Sequence, residues 1–475
     1  MTVRDAPWKA EPKTKIVCTI GPATASEERL RELLQAGVDV IRLNFSHGTH
    51  ADHQLVIERV RRLATELALP VAILQDLAGP KVRIGTFTTD SITLLAGAPF
   101  TLTTRAIVGT VEAVSVSYPQ LPQEVKPGDT LLLADGAVTL VVERVTTEDI
   151  TCRVTDGGNL SARKGVNCPS GLLSLPILSE KDLRDVQFGI EHGVDYMGLS
   201  FVRTADDVRI AKAAIATRGG AVPVIAKIET QAALAHIDEI LEVTDGIMVA
   251  RGDLGIETPL PRIPVVQKQL IAKANRLAKP VITATQMLWS MVDNPRPSRA
   301  EATDVANAVI DGTDALMLSE ETAVGHYPVE AVRMMAAIAS ATERADLRVD
   351  SRDGDRHALP LTEAEAVARA ACQIATTMAM EAIVTMTLEG TTARLVAKYR
   401  PAQPILAATS RLDTYRRLAL LRGVTPLLLP ADITTREGML EKTKAVMRDH
   451  GLHGKKVIIM SSISAEQNLL ATEVL

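Results

Sequence analysis

A chain of 475 residues, at about 150 per domain, predicts about three domains, and its 46% apolar content is ample for several cores. The formal net charge of −5, the absence of a basic block and an aromatic content of 3% exclude the footprint of a nucleic-acid or polyanion binder and leave a small molecule as the expected partner. Cys18, Cys152, Cys168 and Cys372 lack metal-site spacing and disulfide density, the start MTVRDAPWKAEPKTK is polar, and no run reaches the ~18 apolar residues of a membrane span, which predicts a cytoplasmic protein with ordinary free thiols.

Eight short Val/Ile-rich runs alternate with amphipathic helical stretches before residue 320. They are KIVCTI (15–20), VDVIRLN (38–44), VAILQDL (71–77), YMGLS (196–200), PVIAKIE (223–229), GIMVARG (246–252), PVITATQ (280–286) and ALMLS (315–319). Eight parallel strands close a (β/α)8 TIM barrel. About 118 residues separate the third run from the fourth, and there the pattern changes to alternation (Val138, Leu140, Val142) with turns at KPGD, ADG and DGG. A small β-barrel lid domain is therefore expected at 80–175, inserted between barrel segments 1–79 and 176–345. After a polar linker near 351–360, helices at 363–379, 391–399, 413–421 and 435–449 alternate with the strands EAIVTM, PILAATS, VTPLLL and KKVIIMSS. This predicts an open α/β domain over 346–475.

Enzymes built on such barrels place their sites past the strand ends, and polar residues gather there in this chain. The ends carry Arg42, Asn44, Ser46 and His47; Gln75 and Asp76; Ser200; Lys227 and Glu229; Arg251 and Asp253; Thr283, Thr285 and Gln286; Ser319, Glu320 and Glu321. Lys227 and Glu229 stand two apart in a buried run, on one face and roughly 6.6 Å apart. Stripping water from each ion costs several kcal/mol, so something polar is expected between them. Glu229 and Asp253, from neighbouring strands, suit Mg²⁺, and Lys227 adds a mobile positive charge beside it. The alternative is a buried ion pair with no ligand.

The blocks TKIVCTIGPAT (14–24), IRLNFSHG (41–48), GPKVRIG (79–85), KGVNCP (164–169), LSEKD (178–182), IAKIET (225–230), DGIMVARGDLGIE (245–257) and ATQMLWSMVDNPRPSRAEATDVANAVIDGTDA (284–315) resemble those of the pyruvate kinase family, in the same order. The resemblance implies phosphoryl transfer from phosphoenolpyruvate to ADP, giving pyruvate and ATP as the last step of glycolysis. It implies Glu229 and Asp253 as Mg²⁺ ligands, with Mn²⁺ as an alternative, and Lys227 at the phosphoryl group in flight. Ala250, Arg251, Gly252 and Asp253 resemble the helix start that receives the substrate carboxylate, and Arg42 the arginine on its phosphate. Asn44, His47, Arg83 and Lys164 fall on the nucleotide side, His47 reading equally well as structural. Thr285 resembles the threonine near the enolate carbon, where it would order water. The lid role of the insert, a regulatory role for the C-terminal domain and a homotetramer are implied by resemblance alone.

Asn44, Ser46, Asp76 and Leu77 resemble a monovalent-cation pocket, but Lys81 stands where K⁺-requiring members carry Glu, and Leu77 where they carry Thr. An ammonium there would replace the ion, so activity without K⁺ is expected; the alternative is an exposed lysine unrelated to the pocket. Glu320 replaces a common Gly, for which the sequence offers no physical account. Thr387, Gly390, Thr391 and Thr392 resemble a loop that cradles a phosphorylated effector. Glu389 in that loop, and an ending without the longer glycine-containing loop, predict weak or absent activation by fructose 1,6-bisphosphate, leaving a monophosphate as the candidate effector. Two rivals remain: an Mg²⁺-dependent carbon–carbon lyase passing through a pyruvate enolate, and a catalytically silent metabolite sensor. The lid argues against the first, and intact Lys227, Glu229, Asp253 and Thr285 against the second.

Overall fold

The computed structural model describes residues 12–169, 174–345, 362–433, 435–462 and 468–474. The polar start up to residue 11, the expected boundary at 346, the linker at 351–360 and the tail loop at 463–467 lie outside the described residues.

The eight expected runs form eight parallel strands: β1 (Lys15–Thr19), β2 (Val40–Asn44), β3 (Ala72–Asp76), β4 (Tyr196–Leu199), β5 (Val224–Ile228), β6 (Gly246–Ala250), β7 (Val281–Ala284) and β8 (Ala315–Leu318). Pairing of β1 with both β2 and β8 closes the ring. The strands are buried along almost their whole length, which is why they read as continuous apolar runs rather than alternating ones. Every strand is shorter than its run. GIMVARG, for instance, divides after Ala250, and Arg251 opens a helix that runs to Glu257.

The inserted segment forms a seven-stranded, mostly antiparallel sheet from Val82–Arg83 at one edge to Ala113–Ser115 at the other, beside a two-stranded ribbon. A single antiparallel bridge, Ile84 to Val116, joins the two edges and closes the sheet on itself. Phe100, Leu102, Leu131, Leu140 and Ile150 fill its interior.

In the C-terminal domain the strands Val424–Leu428, Ile405–Thr409, Ala382–Met386 and Lys456–Ser462 lie parallel, and Asn468–Val474 adds an antiparallel edge. That last strand was not expected, because NLLATEV follows no turn signal of its own. The helix expected at 413–421 is instead an α-helix, Leu412–Arg417, followed by a 3₁₀ turn, Leu418–Leu420. Tertiary packing overrides propensity at this point: Ala419 and Leu420 bury against Val17, Val40, Leu74, Met248 and Met317, the inner layer of the barrel. Buried ion pairs rivet the same joint, Arg400 to Asp314 at 2.5 Å and Arg422 to Glu343 at 3.2 Å.

Candidate active site

Parallel strands deliver their C-terminal ends to one mouth, and five of them supply polar side chains there, those of four being directly bonded to one another. Arg42 belongs to β2 and Asp76 to β3; Ser200 follows β4; Lys227 lies in β5 with Glu229 just beyond it; Asp253 follows β6. The Lys227 ammonium lies 2.9 Å from Glu229 Oε1 and 3.2 Å from Asp76 Oδ1, and donates to Ser200 Oγ at 2.7 Å. The other Asp76 oxygen accepts from Arg42 Nε at 2.7 Å and lies 2.6 Å from its Nη2, while Arg42 Nη1 donates to Thr19 Oγ1 at 2.9 Å. The result is an alternating chain, Arg42–Asp76–Lys227–Glu229, almost wholly out of water.

The expected gap between Lys227 and Glu229 is corrected here. Both point to the same face, but the four-carbon lysine stem brings the ammonium into direct contact with the carboxylate. Sign alternation holds Lys227 and Asp76 in their charged forms. Burial pulls the Lys227 ammonium toward neutrality, but Asp76 and Glu229 outweigh it and hold its pKa above the usual lysine range. Burial likewise raises Asp76, and Lys227 with Arg42 overcome it and hold it low. Glu229 goes the other way: burial, with the like charge of Asp253, pushes it up against the pull of Lys227. A hard cation between Glu229 and Asp253 would relieve that repulsion, and two carboxylates suffice for Mg²⁺, which keeps several waters. Among the described residues no cluster of three or more His, Cys, Asp or Glu offers a fuller cage.

Backbone strain marks the surroundings. Phe201, Thr285 and Gln286 have φ of 56°, 72° and 54°, in the left-handed region that non-glycine residues rarely occupy. In return Phe201 N–H donates to Glu229 Oε2 at 2.7 Å. Thr285 Oγ1 donates to the Ala284 carbonyl at 2.7 Å and accepts from Gly252 N–H at 2.9 Å. The Gly252 amide, expected among the substrate-carboxylate donors, is therefore engaged by Thr285. Arg251 contributes its side chain to the scaffold: its guanidinium donates to the Ala284 and Thr285 carbonyls at 3.2 and 2.9 Å and to Asp304 at 2.7 Å.

A barrel whose strand ends bring Lys, Glu and Asp together, under an inserted lid and beside an α/β domain, matches two family models: "Pyruvate kinase, barrel domain" over residues 11–332 and "Pyruvate kinase, alpha/beta domain" over residues 365–471. The chain belongs to the pyruvate kinase family. It is 48% identical to pyruvate kinase 2 of Synechocystis sp., over 97% of this chain and 79% of that one. It is 45% identical to the pyruvate kinase of Geobacillus stearothermophilus, over 95% and 78%. The crystal structure of a pyruvate kinase from Cryptosporidium parvum superposes with a TM-score of 0.91 at 35% identity, covering 99% of each chain. Members of the pyruvate kinase family are phosphotransferases of glycolysis, and this chain is one of them.

The remaining residues that resemble pyruvate kinase positions are more scattered. Asn44 Oδ1 accepts from Ser46 N–H at 3.1 Å, Ser46 is exposed, Asp76 is committed to two cations, and the buried Leu77 offers only a carbonyl, which already accepts from Ser200 Oγ at 2.7 Å. Lys81 lies three-quarters buried over the Phe201 ring, 3.7 Å from Asp135 of the lid and 3.8 Å from Asp253 of the barrel. On the lid, Arg83 and Lys164 are exposed on adjoining segments, Arg83 pairing with Gly165 in the ladder and donating to the Arg163 carbonyl at 3.1 Å. His47 is exposed at the barrel mouth. Glu320 is exposed at the start of a short helix, so its charge stays in water, which accounts for its tolerance. Thr387, Gly390, Thr391 and Thr392 form a separate group in the C-terminal domain. There Thr387 Oγ1 accepts from Gly390 N–H at 2.9 Å, and Gly390, at φ 84°, begins the helix Thr391–Lys398.

Three roles escaped sequence reasoning. Ser200 stood out only as a polar strand end, and its bond to the Lys227 ammonium depends on the pairing of β4 with β5. Glu321 is fully buried and braces two loops, accepting from Ser319 N–H at 2.7 Å and Leu288 N–H at 3.1 Å. The sequence marked it, like Glu320 beside it, only as a polar residue at a strand end. Asp304 lies within a helix and gave no signal at all.

Proposed function

We propose that this chain transfers the phosphoryl group of phosphoenolpyruvate to ADP, with Lys227, Glu229 and Asp253 at the reacting centre. The observation that carries the reading is the alternating Arg42–Asp76–Lys227–Glu229 chain, which keeps an ammonium charged at the end of β5 despite burial. Glu229 and Asp253 would hold Mg²⁺, or Mn²⁺ through the same oxygens, and the metal when bound would supply charge neutralisation on the phosphoryl oxygens. Lys227 meets the charge dispersed on the migrating group, and Arg42, fixed by Asp76 and Thr19, contacts the phosphate. Thr285 orders the water that delivers a proton to the enolate carbon. The turn Ala250–Asp253 faces the substrate carboxylate, and Asn44, His47, Arg83 and Lys164 clamp the nucleotide from the barrel mouth and the lid.

Lys81, bearing a fixed positive charge close to Asp253, supports turnover that does not need K⁺ at the Asn44, Ser46, Asp76 and Leu77 pocket. We take 1–79 with 176–345 as barrel, 80–175 as lid and 346–475 as a regulatory domain answering a phosphorylated effector, in a cytoplasmic homotetramer. No helix of the described residues is long and apolar enough to cross a membrane.

The test is pyruvate formation from phosphoenolpyruvate, ADP and Mg²⁺ by the parent and by Lys227→Met. Losing one preorganised charge costs on the order of 3–4 kcal/mol, so kcat should fall about 10²- to 10³-fold with metal binding retained. A variant that stays fast would remove the lysine from its assigned role. Running the parent in potassium chloride and in a bulky organic chloride at equal ionic strength tests Lys81; a steep potassium requirement refutes that part.

A further inference from the structure

Thr285 must hold its hydroxyl in place from a left-handed backbone conformation, φ 72°, that a β-branched residue rarely adopts, and something outside the loop has to impose it. The Arg251 side chain does so. Its Nε and Nη2 grip the carbonyls of Ala284 and Thr285 at 3.2 and 2.9 Å, and Gly252, the next residue, donates its N–H to Thr285 Oγ1 at 2.9 Å. Arg251 therefore ties the end of β7 to the helix start that carries Asp253. A planar fork does this only when its rotation is fixed, and Nη1 is fixed by Asp304 at 2.7 Å, with Gln267 Oε1 a longer second acceptor at 3.2 Å. Asp304 comes from a third element, the helix Arg299–Asp311, whose start is locked by a Ser298–Glu301 capping box.

We propose that Asp304 is a positioning residue: by orienting the Arg251 guanidinium it aligns the Thr285 hydroxyl with the Gly252–Asp253 turn, and so governs proton delivery to the enolate. The inference rests on the function proposed above and deepens it. It touches neither substrate nor metal, so the consequence is a loss in kcat with little change in the KM for phosphoenolpyruvate. Proton delivery run backwards is exchange of the pyruvate methyl protons with solvent, which can be followed by NMR in D₂O without net phosphoryl transfer.

Asp304→Asn should lower kcat and the exchange rate together, each at least tenfold, with KM within about threefold and Tm within a few degrees of the parent. Asp304→Glu, which keeps the charge on a partly exposed side chain, should retain more than a third of both rates. The independent arm is Arg251→Lys, which keeps a charge facing Asp304 but cannot hold two carbonyls; the same paired loss is expected. The inference is overturned if Asp304→Asn stays within twofold of the parent, if Asp304→Glu is as impaired as Asp304→Asn, or if Arg251→Lys leaves exchange unchanged. Those outcomes would leave the phosphoryl-transfer reading intact, whereas a parent with no turnover, or one indifferent to Lys227→Met, would fail that reading first.

Discussion

Asp76 separates two cations that would otherwise repel each other, with Arg42 on one oxygen and Lys227 near the other. Removing one member of such a buried set leaves uncompensated charge and typically costs 3–5 kcal/mol, about the cost expected for Asp76→Asn near neutral pH. The sign of the pH dependence follows from the depressed native pKa of Asp76. Its stabilisation is complete above the unfolded aspartate value of about 4 and is lost as pH falls through the lower native value. The gap in melting temperature between parent and Asp76→Asn should therefore be widest near neutrality and narrow steadily below about pH 4; a gap independent of pH would contradict the assignment. Lys227 and Glu229 were legible in the sequence because charge inside a buried apolar run is expensive. The partnership of Arg42 with Asp76 was not, since it depends on the side-by-side pairing of β2 and β3. Nor was the left-handed backbone of Thr285 and Gln286, which no residue type announces when neither is Gly or Asn.

At the level of elements, the period of the apolar runs announced the barrel strands and most helices, because burial on both faces leaves a continuous signature. Ends were less legible: a run continues past the last ladder bond into the loop that carries the chemistry, as at Gly252 and Thr285. The segment 387–392, proposed as an effector loop, shows the same division between pattern and charge. Gly390 supplies the helix start, and Thr414 Oγ1 ties the loop to the next helix by donating to the Leu388 carbonyl at 2.7 Å. Exposed Glu389 sits in that loop, and its charge would oppose a bisphosphate more strongly than a monophosphate. Titrating fructose 1,6-bisphosphate at subsaturating phosphoenolpyruvate should change the rate by less than about twofold, while Glu389→Ser should strengthen the response; strong activation of the parent would refute the role given to this carboxylate.

For the molecule as a whole, the division into barrel, lid and α/β domain followed from where the run spacing broke. The docking of the third part onto the first did not, because LAL reads as helix until its burial is seen. Leu420 belongs to the barrel's inner cluster although it lies in another domain. Leu420→Ala should cost roughly 2–5 kcal/mol, the range for emptying a buried leucine site. Thermal unfolding should then show barrel and C-terminal domain melting together at a lower temperature. Loss of stability confined to the C-terminal domain would mean that the contact matters to one side only.

Ala419 and Leu420 add a last layer beneath a barrel that its own inner side chains, Leu74, Met248 and Met317 among them, already fill, so nothing passes through the ring of staves. Reactants, products and water share one rim. Donor, acceptor and metal must therefore crowd together at that rim, and products leave by the way their precursors came.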